Sequence, residues 1–323
     1  MTTPQDPHWP RASWWLEGRY ADGLPSDAPL LAVLGAPLSQ ASHAGNNCHE
    51  APAMVRAALG RFSPYAAGVS WPEPRNVDLG AVRPVDLGDV AIGDLDNVAA
   101  QAEIAGAVAA LPNHPSLARD PDLLVVVGGD DAVIRPVING LGCDLKRAGL
   151  LTLDAHHDVR VYYRNMGPHN GAPVRGLIDD GLPAANVIEV GISSFGNSAF
   201  YRGWCEDRGI TVVGAAAARD EGVGPCVARH LEALAGRADV IFVDFDLDVL
   251  DSAFAPGSFG ARPGGLASWE LHQAAFAAGN HPKVKGICIV EVDPALDDHA
   301  CTTVDNAALC LLHAAAGLAL RER

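Results

Sequence analysis

The chain has 323 residues, 49% of them hydrophobic, which is ample for a large core and excludes a disordered protein. Its 39 acidic residues against 23 basic ones give a formal charge of −16; nucleic acids and anionic membranes need a basic surface, so neither is an expected partner, and a small cationic substrate suits the chain better. Seven scattered cysteines without a CxxC pair exclude a disulfide framework and a zinc ribbon, and neither a leader pattern nor a membrane-length apolar run stands out, so a soluble cytoplasmic protein is expected.

Residues 1–29 read as an amino-terminal extension and residues 30–323 as one domain, because no linker interrupts them. Short apolar runs then recur along the chain: "LLAVLGAP" from Leu30, "LLVVVGGDD" from Leu123, "GLLTLDAHHD" from Gly149, "NVIEVGISS" from Asn186, "ITVVGA" from Ile210, "DVIFVDFDLD" from Asp239 and "GICIVEVDP" from Gly286. Between them lie Ala- and Leu-rich segments with helical spacing, among them "DNVAAQAEIAGAVAAL", "ASWELHQAAFAAG" and "DNAALCLLHAAAGLAL". Continuous apolar strands alternating with helices predict a three-layer α/β/α sandwich around a mainly parallel sheet.

Four of the runs end in ionisable groups: Asp130 and Asp131; Asp154, His156 and Asp158; Asp244, Asp246, Asp248 and Asp251; Glu291 and Asp293. Ligands of open parallel sheets bind beyond the carboxyl ends of the strands, so these groups are expected to converge. So many carboxylates in one crevice repel one another unless cations neutralise them. Alternate residues of an extended strand end face one side, which groups 154 with 156 and 158, groups 246 with 248, and turns His157 away. Carboxylates with imidazole and no thiolate favour a hard or borderline ion such as Mn2+. Two such ions roughly 3.5–4 Å apart can activate a shared water for hydrolysis.

At these residues the chain resembles the ureohydrolase superfamily of arginase, agmatinase and formimidoylglutamase. "DAHHD" at residues 154–158 resembles the family's "DAHxD", and "DFDLDVLDSAFAPG" at residues 244–257 resembles its "DxDxxDPxxAPG". "GGDD" at 128–131 resembles its "GGDH", and "EVDP" at 291–294 its Glu-x-x-Pro. The likeness runs from about Leu30 to the final helix. It implies an arginase-like fold, two divalent metal ions per chain, a trimer or hexamer, and a small amidine or guanidino substrate. It also implies Asp154, His156, Asp158, Asp246 and Asp248 as metal ligands, with Asp154 and Asp246 bridging. Asp131 stands where the family places a histidine ligand. The set then holds five carboxylates and one imidazole, and either keeps two hard ions or leaves a one-ion or catalytically silent relative.

The loop "DVRVYYRNMGPHNGAPVRGLIDDG" from Asp158 points within the superfamily. Arg160 resembles the "DxR" of formimidoylglutamases and "NGAPVR" their "SGTPFR", implying N-formimidoyl-L-glutamate as substrate and a role in histidine catabolism. A guanidinium can hold a carboxylate through two parallel hydrogen bonds, so Arg160, Arg164 or Arg175 is expected to clamp the substrate. The resemblance further implies that Asp158 orients the attacking water and Glu291 holds the cationic nitrogen. It assigns the proton shuttle to His169, with Asn170 as the other occupant of that position. A urea-releasing ureohydrolase is the second reading of the same residues.

Overall fold

The computed structural model describes residues 6, 8–43, 45–69, 73–162 and 167–322. The strands are β1 (Leu30–Ala36), β2 (Tyr65–Ala66), β3 (Val77–Asp78), β4 (Arg83–Asp89), β5 (Leu123–Gly128), β6 (Ala148–Leu153), β7 (Val187–Ile192), β8 (Thr211–Gly214), β9 (Val240–Asp246) and β10 (Val284–Val290). The helices are α1 (Ala12–Leu16), α2 (Ala51–Ala58), α3 (Asn97–Ala109), α4 (Ile134–Gly140), α5 (Pro173–Asp180), α6 (Ala199–Glu206), α7 (Ala215–Glu221), α8 (Val223–Ala235), α9 (Ser268–Asn280) and α10 (Thr302–Ala319). Eight strands form one sheet in the order β4-β1-β5-β10-β9-β6-β7-β8, and every pairing in it is parallel. β2 and β3 make a separate antiparallel hairpin.

Both faces of the sheet are covered, which is why its central strands are apolar without interruption. On β1, Leu31 and Val33 face one core with Leu123, Val125 and Val127, while Ala32 and Leu34 face the other with Leu124 and Val126. The first face is closed by α2, α8, α9 and α10, and the second by α3, α4 and α5. Tight backbone approach sets the α9–α10 contact: a Cβ on Gly279 would lie 2.0 Å from the Ala314 carbonyl oxygen. Trp15 of α1 is fully buried in the first core, so the segment before Leu30 packs on the sheet.

The apolar runs correspond to seven of the eight strands. Edge strand β4 escapes the pattern because it is covered on one side only, and among its residues just Pro84 is buried. Chain order places the site. After β5 the chain skips to β6, and the gap is filled later by β9 and then β10. This reversal makes a switch point, and the four strands around it are those that end in ionisable groups.

Candidate metal centre

β5 ends at Gly128, and the next residue passes so close to the chain at Leu38 that a Cβ on Gly129 would sit 1.6 Å from a carbonyl oxygen. That crossing separates two adjacent acids. Asp130 turns to accept the amides of Ala41 at 3.1 Å and Ala132 at 3.2 Å, tying down the loop after β1, whereas Asp131 faces the strands beside it. Asp251 and Asp293 likewise accept backbone amides, from Ala253 and Gly264 in one case and from Asn47 and Ala295 in the other. The expected convergence is therefore corrected for Asp130, Asp251 and Asp293, whose oxygens are used in holding loops.

The remaining acids come together. Donor atoms of Asp154, His156 and Asp248 lie within 4.8 Å of one another, and so do those of Asp131, Asp154 and Asp158. Asp154 is common to both groups. His156 Nδ1 lies 2.8 Å from Asp248 Oδ2 and 3.5 Å from Asp154 Oδ1. Asp246 stands outside both triplets, accepts the Asp248 amide at 2.7 Å and lines the same cavity. Asp131, Asp154, Asp246 and Asp248 are all buried. Asp244, also buried, accepts the Thr152 hydroxyl at 3.2 Å. One carboxylate oxygen each of Asp131 and Asp244 is buried without a hydrogen-bond partner among the described residues.

Without cations this cluster must hold protons. Burial, then Asp244 and Asp158, pushes Asp131 well above the usual carboxylate range. Burial followed by neighbouring carboxylates does the same to Asp154 and Asp246. His156 is drawn up to about 12, first by Asp248. Orphaned oxygens, raised carboxylates and a single imidazole make an oxygen-rich donor set of the kind that suits hard divalent ions. The residues fit two cations.

Backbone strain concentrates here as well. Asp158 and Glu291 occupy the left-handed region with φ of 48° and 57°, a conformation that costs a non-glycine residue on the order of 1–3 kcal/mol and is retained where surrounding contacts impose it. Glu291 is held through Oε1, which accepts the Asp131 amide at 2.9 Å and Asn170 Nδ2 at 3.1 Å. Its pKa is pushed up to about 7, by burial first.

The groups open into a cavity of about 190 Å3 whose lining includes Asp158, Arg160, Asn170, Phe259, Arg262 and Glu291. A larger and more apolar cavity of about 430 Å3 lies between α9, α10 and the β2–β3 hairpin, and no carboxylate cluster lines it among the described residues. Arg160 reaches the smaller cavity because its amide bonds the Gly171 carbonyl at 2.9 Å, and its guanidinium has no ion pair among the described residues. Asn170, anchored by its amide to Ala41 at 3.1 Å, presents its side chain to Glu291.

Two expected site residues are turned elsewhere. His169 is buried, with Nε2 bonded to the Val161 carbonyl at 3.1 Å and Nδ1 accepting the Gly171 amide at 3.2 Å, so both ring nitrogens are engaged within the loop. Arg175 sits over the Trp204 ring at 4.3 Å and donates to the Val159 carbonyl at 2.7 Å. Asp180, at the end of the same helix, pairs with Arg135 at 2.7 Å. Arg164 lies outside the described residues. His157 points away from the centre, as alternation requires, and its Nδ1 lies 2.5 Å from Glu189 Oε2, fastening the ligand-bearing loop to β7. Arg262 enters the cavity lining without any motif to announce it, and His43 joins it from the loop after β1.

The profile of the arginase family matches residues 30–316. Formimidoylglutamase of Halalkalibacterium halodurans is 33% identical over 282 residues, 87% of this chain and 83% of that protein. The crystal structure of formimidoylglutamase from Bacillus subtilis superposes with a TM-score of 0.85 at 31% identity, covering 100% of this chain and 96% of that one. Formiminoglutamase of Trypanosoma cruzi, solved with Mn2+, has a TM-score of 0.77 at 21% identity over 97% and 99% of the two chains, a likeness of fold.

Proposed function

The chain belongs to the arginase family, and from that premise we propose that it hydrolyses N-formimidoyl-L-glutamate to L-glutamate and formamide. Water adds to the formimidoyl carbon, the bond from that carbon to the glutamate nitrogen breaks, and the nitrogen leaves as the amine. The observation that carries this substrate is Arg160, which lines the metal-centre cavity with no ion pair among the described residues. A carboxylate-bearing amidine matches both ends of such a cavity; agmatine has no carboxylate for the arginine.

Asp131, Asp154, His156, Asp158, Asp246 and Asp248 would hold two divalent cations, with Mn2+ favoured by the hardness of the donor set. Such ions supply Lewis acidity and an activated water. The protein's own groups do the rest. Asp158, fixed by its left-handed backbone, orients the water. Glu291 keeps one oxygen on the Asp131 amide and Asn170, which leaves the other to accept an N–H of the amidine and stabilise its positive charge. Asn170 thus serves by aiming Glu291. The family likeness also supports a cytoplasmic trimer or hexamer acting in histidine breakdown, and the exposed Phe195 and Phe200 give such an assembly apolar surface to cover.

The direct test is a substrate panel on Mn2+-loaded protein, reading formamide and urea. Formamide from formimidoylglutamate is expected. Faster release of urea from arginine, agmatine or a guanidino acid replaces this function with the second reading, and release of neither marks a silent relative. Arg160→Ala should lower kcat/KM for formimidoylglutamate by more than about tenfold, as loss of a charge-assisted bond worth roughly 1.5–3 kcal/mol requires.

Asp131 separates a two-ion from a one-ion site. It belongs to only one donor triplet, so Asp131→Ala should lose about one ion per chain while the other stays. Asp131→His should keep both. An unchanged metal count in Asp131→Ala, read by elemental analysis, would remove Asp131 from the ligand set.

A further inference from the structure

One guanidinium does not suffice for a substrate with two carboxylates. In formimidoylglutamate the two acid groups are separated by three chain carbons, and the planar fork of an arginine binds one carboxylate at a time. The cavity is lined by a second guanidinium, from a different loop. Arg262 follows β9 at some distance, in the stretch "FGAR" at residues 259–262. This stretch is pressed on the metal centre: a Cβ on Gly260 would lie 1.9 Å from Asp248 Oδ2, so only glycine lets the loop pass. The position of Arg262 is thereby set relative to a metal-binding carboxylate.

Its own contacts leave it unspent. Its Nη1 donates to the Phe259 and Ala261 carbonyls, each at 2.8 Å, which folds the side chain over its loop. Among the described residues Arg262 has no carboxylate at ion-pair distance. In a chain with 39 acidic residues against 23 basic ones, arginines near the site that serve the fold are occupied: Arg135 by Asp180 and Arg175 by Trp204 and a carbonyl. Among the described residues Arg160 and Arg262 are the two guanidiniums lining the cavity, and neither is paired with an acid there. Phe259, 59% exposed beside them, gives the methylenes of a bound diacid an apolar wall.

We infer that Arg262 is a specificity-determining residue which binds the second carboxylate of the substrate, so that the site selects amidines carrying two carboxylates over those carrying one. This rests on the amidine hydrolase function proposed above and names what that function discriminates. The two guanidiniums also offset the negative field that the acidic centre presents to the incoming carboxylates.

The test compares N-formimidoyl-L-glutamate with its side-chain amide, N-formimidoyl-L-glutamine, on Mn2+-loaded protein. The natural protein should favour the diacid by more than tenfold in kcat/KM, and Arg262→Ala and Arg262→Gln should each bring that ratio toward one, chiefly through KM. A ratio that stays above tenfold in both variants overturns the inference and leaves the hydrolase function standing. A second arm does not depend on turnover: glutarate, a diacid without an amidine, should bind the Mn2+-loaded protein by calorimetry, and at least tenfold more weakly to Arg262→Gln. Equal glutarate binding by natural and variant protein overturns the role of Arg262 even if formimidoylglutamate proves not to be the substrate, while loss of binding upholds it in that same case.

Discussion

Asp154→Asn should abolish hydrolysis and strip both metal ions. Asp154 is the one residue whose carboxylate belongs to both donor triplets, and it is buried at the end of β6. The amide has the same shape, so the packing around it is kept, but the negative charge that would neutralise two cations is gone. A neutral amide is a poor bridge between hard ions. We expect kcat/KM to fall by more than ~10³-fold, on the order of 4 kcal/mol of transition-state stabilisation, with near-zero metal by elemental analysis and a folded protein by circular dichroism. Full metal content in the variant would show that the cations sit elsewhere.

Glu291→Gln should give a loss of a different kind, with both ions retained. Glu291 lies in neither donor triplet, and its Oε1 is already held by the Asp131 amide and Asn170. Glutamine can still accept those two hydrogen bonds through its carbonyl oxygen. Its NH2 group then faces the amidine nitrogen, replacing attraction of a developing positive charge by donor against donor. Losing one preorganised electrostatic contact of this type lowers kcat by ~10²–10³-fold. Stopped assays for formamide alongside metal analysis separate the two effects; a Glu291→Gln enzyme with natural kcat would remove Glu291 from the chemistry. Asn170→Ala, which loosens Glu291 without removing its charge, should fall between.

Much of this protein follows from local sequence because parallel strands covered on both faces must be apolar throughout. A carboxylate at the end of such a run has few reasons to be there except to meet a ligand. Thus β5, β6, β9 and β10 and their terminal acids are legible, as is the outward turn of His157, which strand alternation dictates. The edge strand β4 is not, because its exposed side removes the apolar signature. Asp130 and Asp131 are alike in residue type and separated in the sequence only by the resemblance of GGDD to GGDH; physically, the passage of Gly129 against Leu38 lets Asp130 bond the loop after β1 while Asp131 faces the centre.

The same holds for the substrate loop. His169 and Asn170 compete for one position, and Arg160, Arg164 and Arg175 are all carboxylate-binding candidates by residue type, with Arg160 favoured by resemblance alone. What separates them is a small number of bonds between residues far apart in the chain: Asn170 to Ala41, Arg160 to Gly171, Arg175 over Trp204. Arg262, with no motif around it, becomes visible only once Gly260 is seen against Asp248. Sequence alone therefore determined seven of the eight sheet strands and the acidic character of their carboxyl ends, since periodicity and strand ends are local properties, while the family followed from the resemblance of the motifs at those ends. Tertiary structure decided which loop side chains look into the cavity, because a loop has no internal period and its side chains take their direction from whatever distant backbone their own amides and carbonyls must bond.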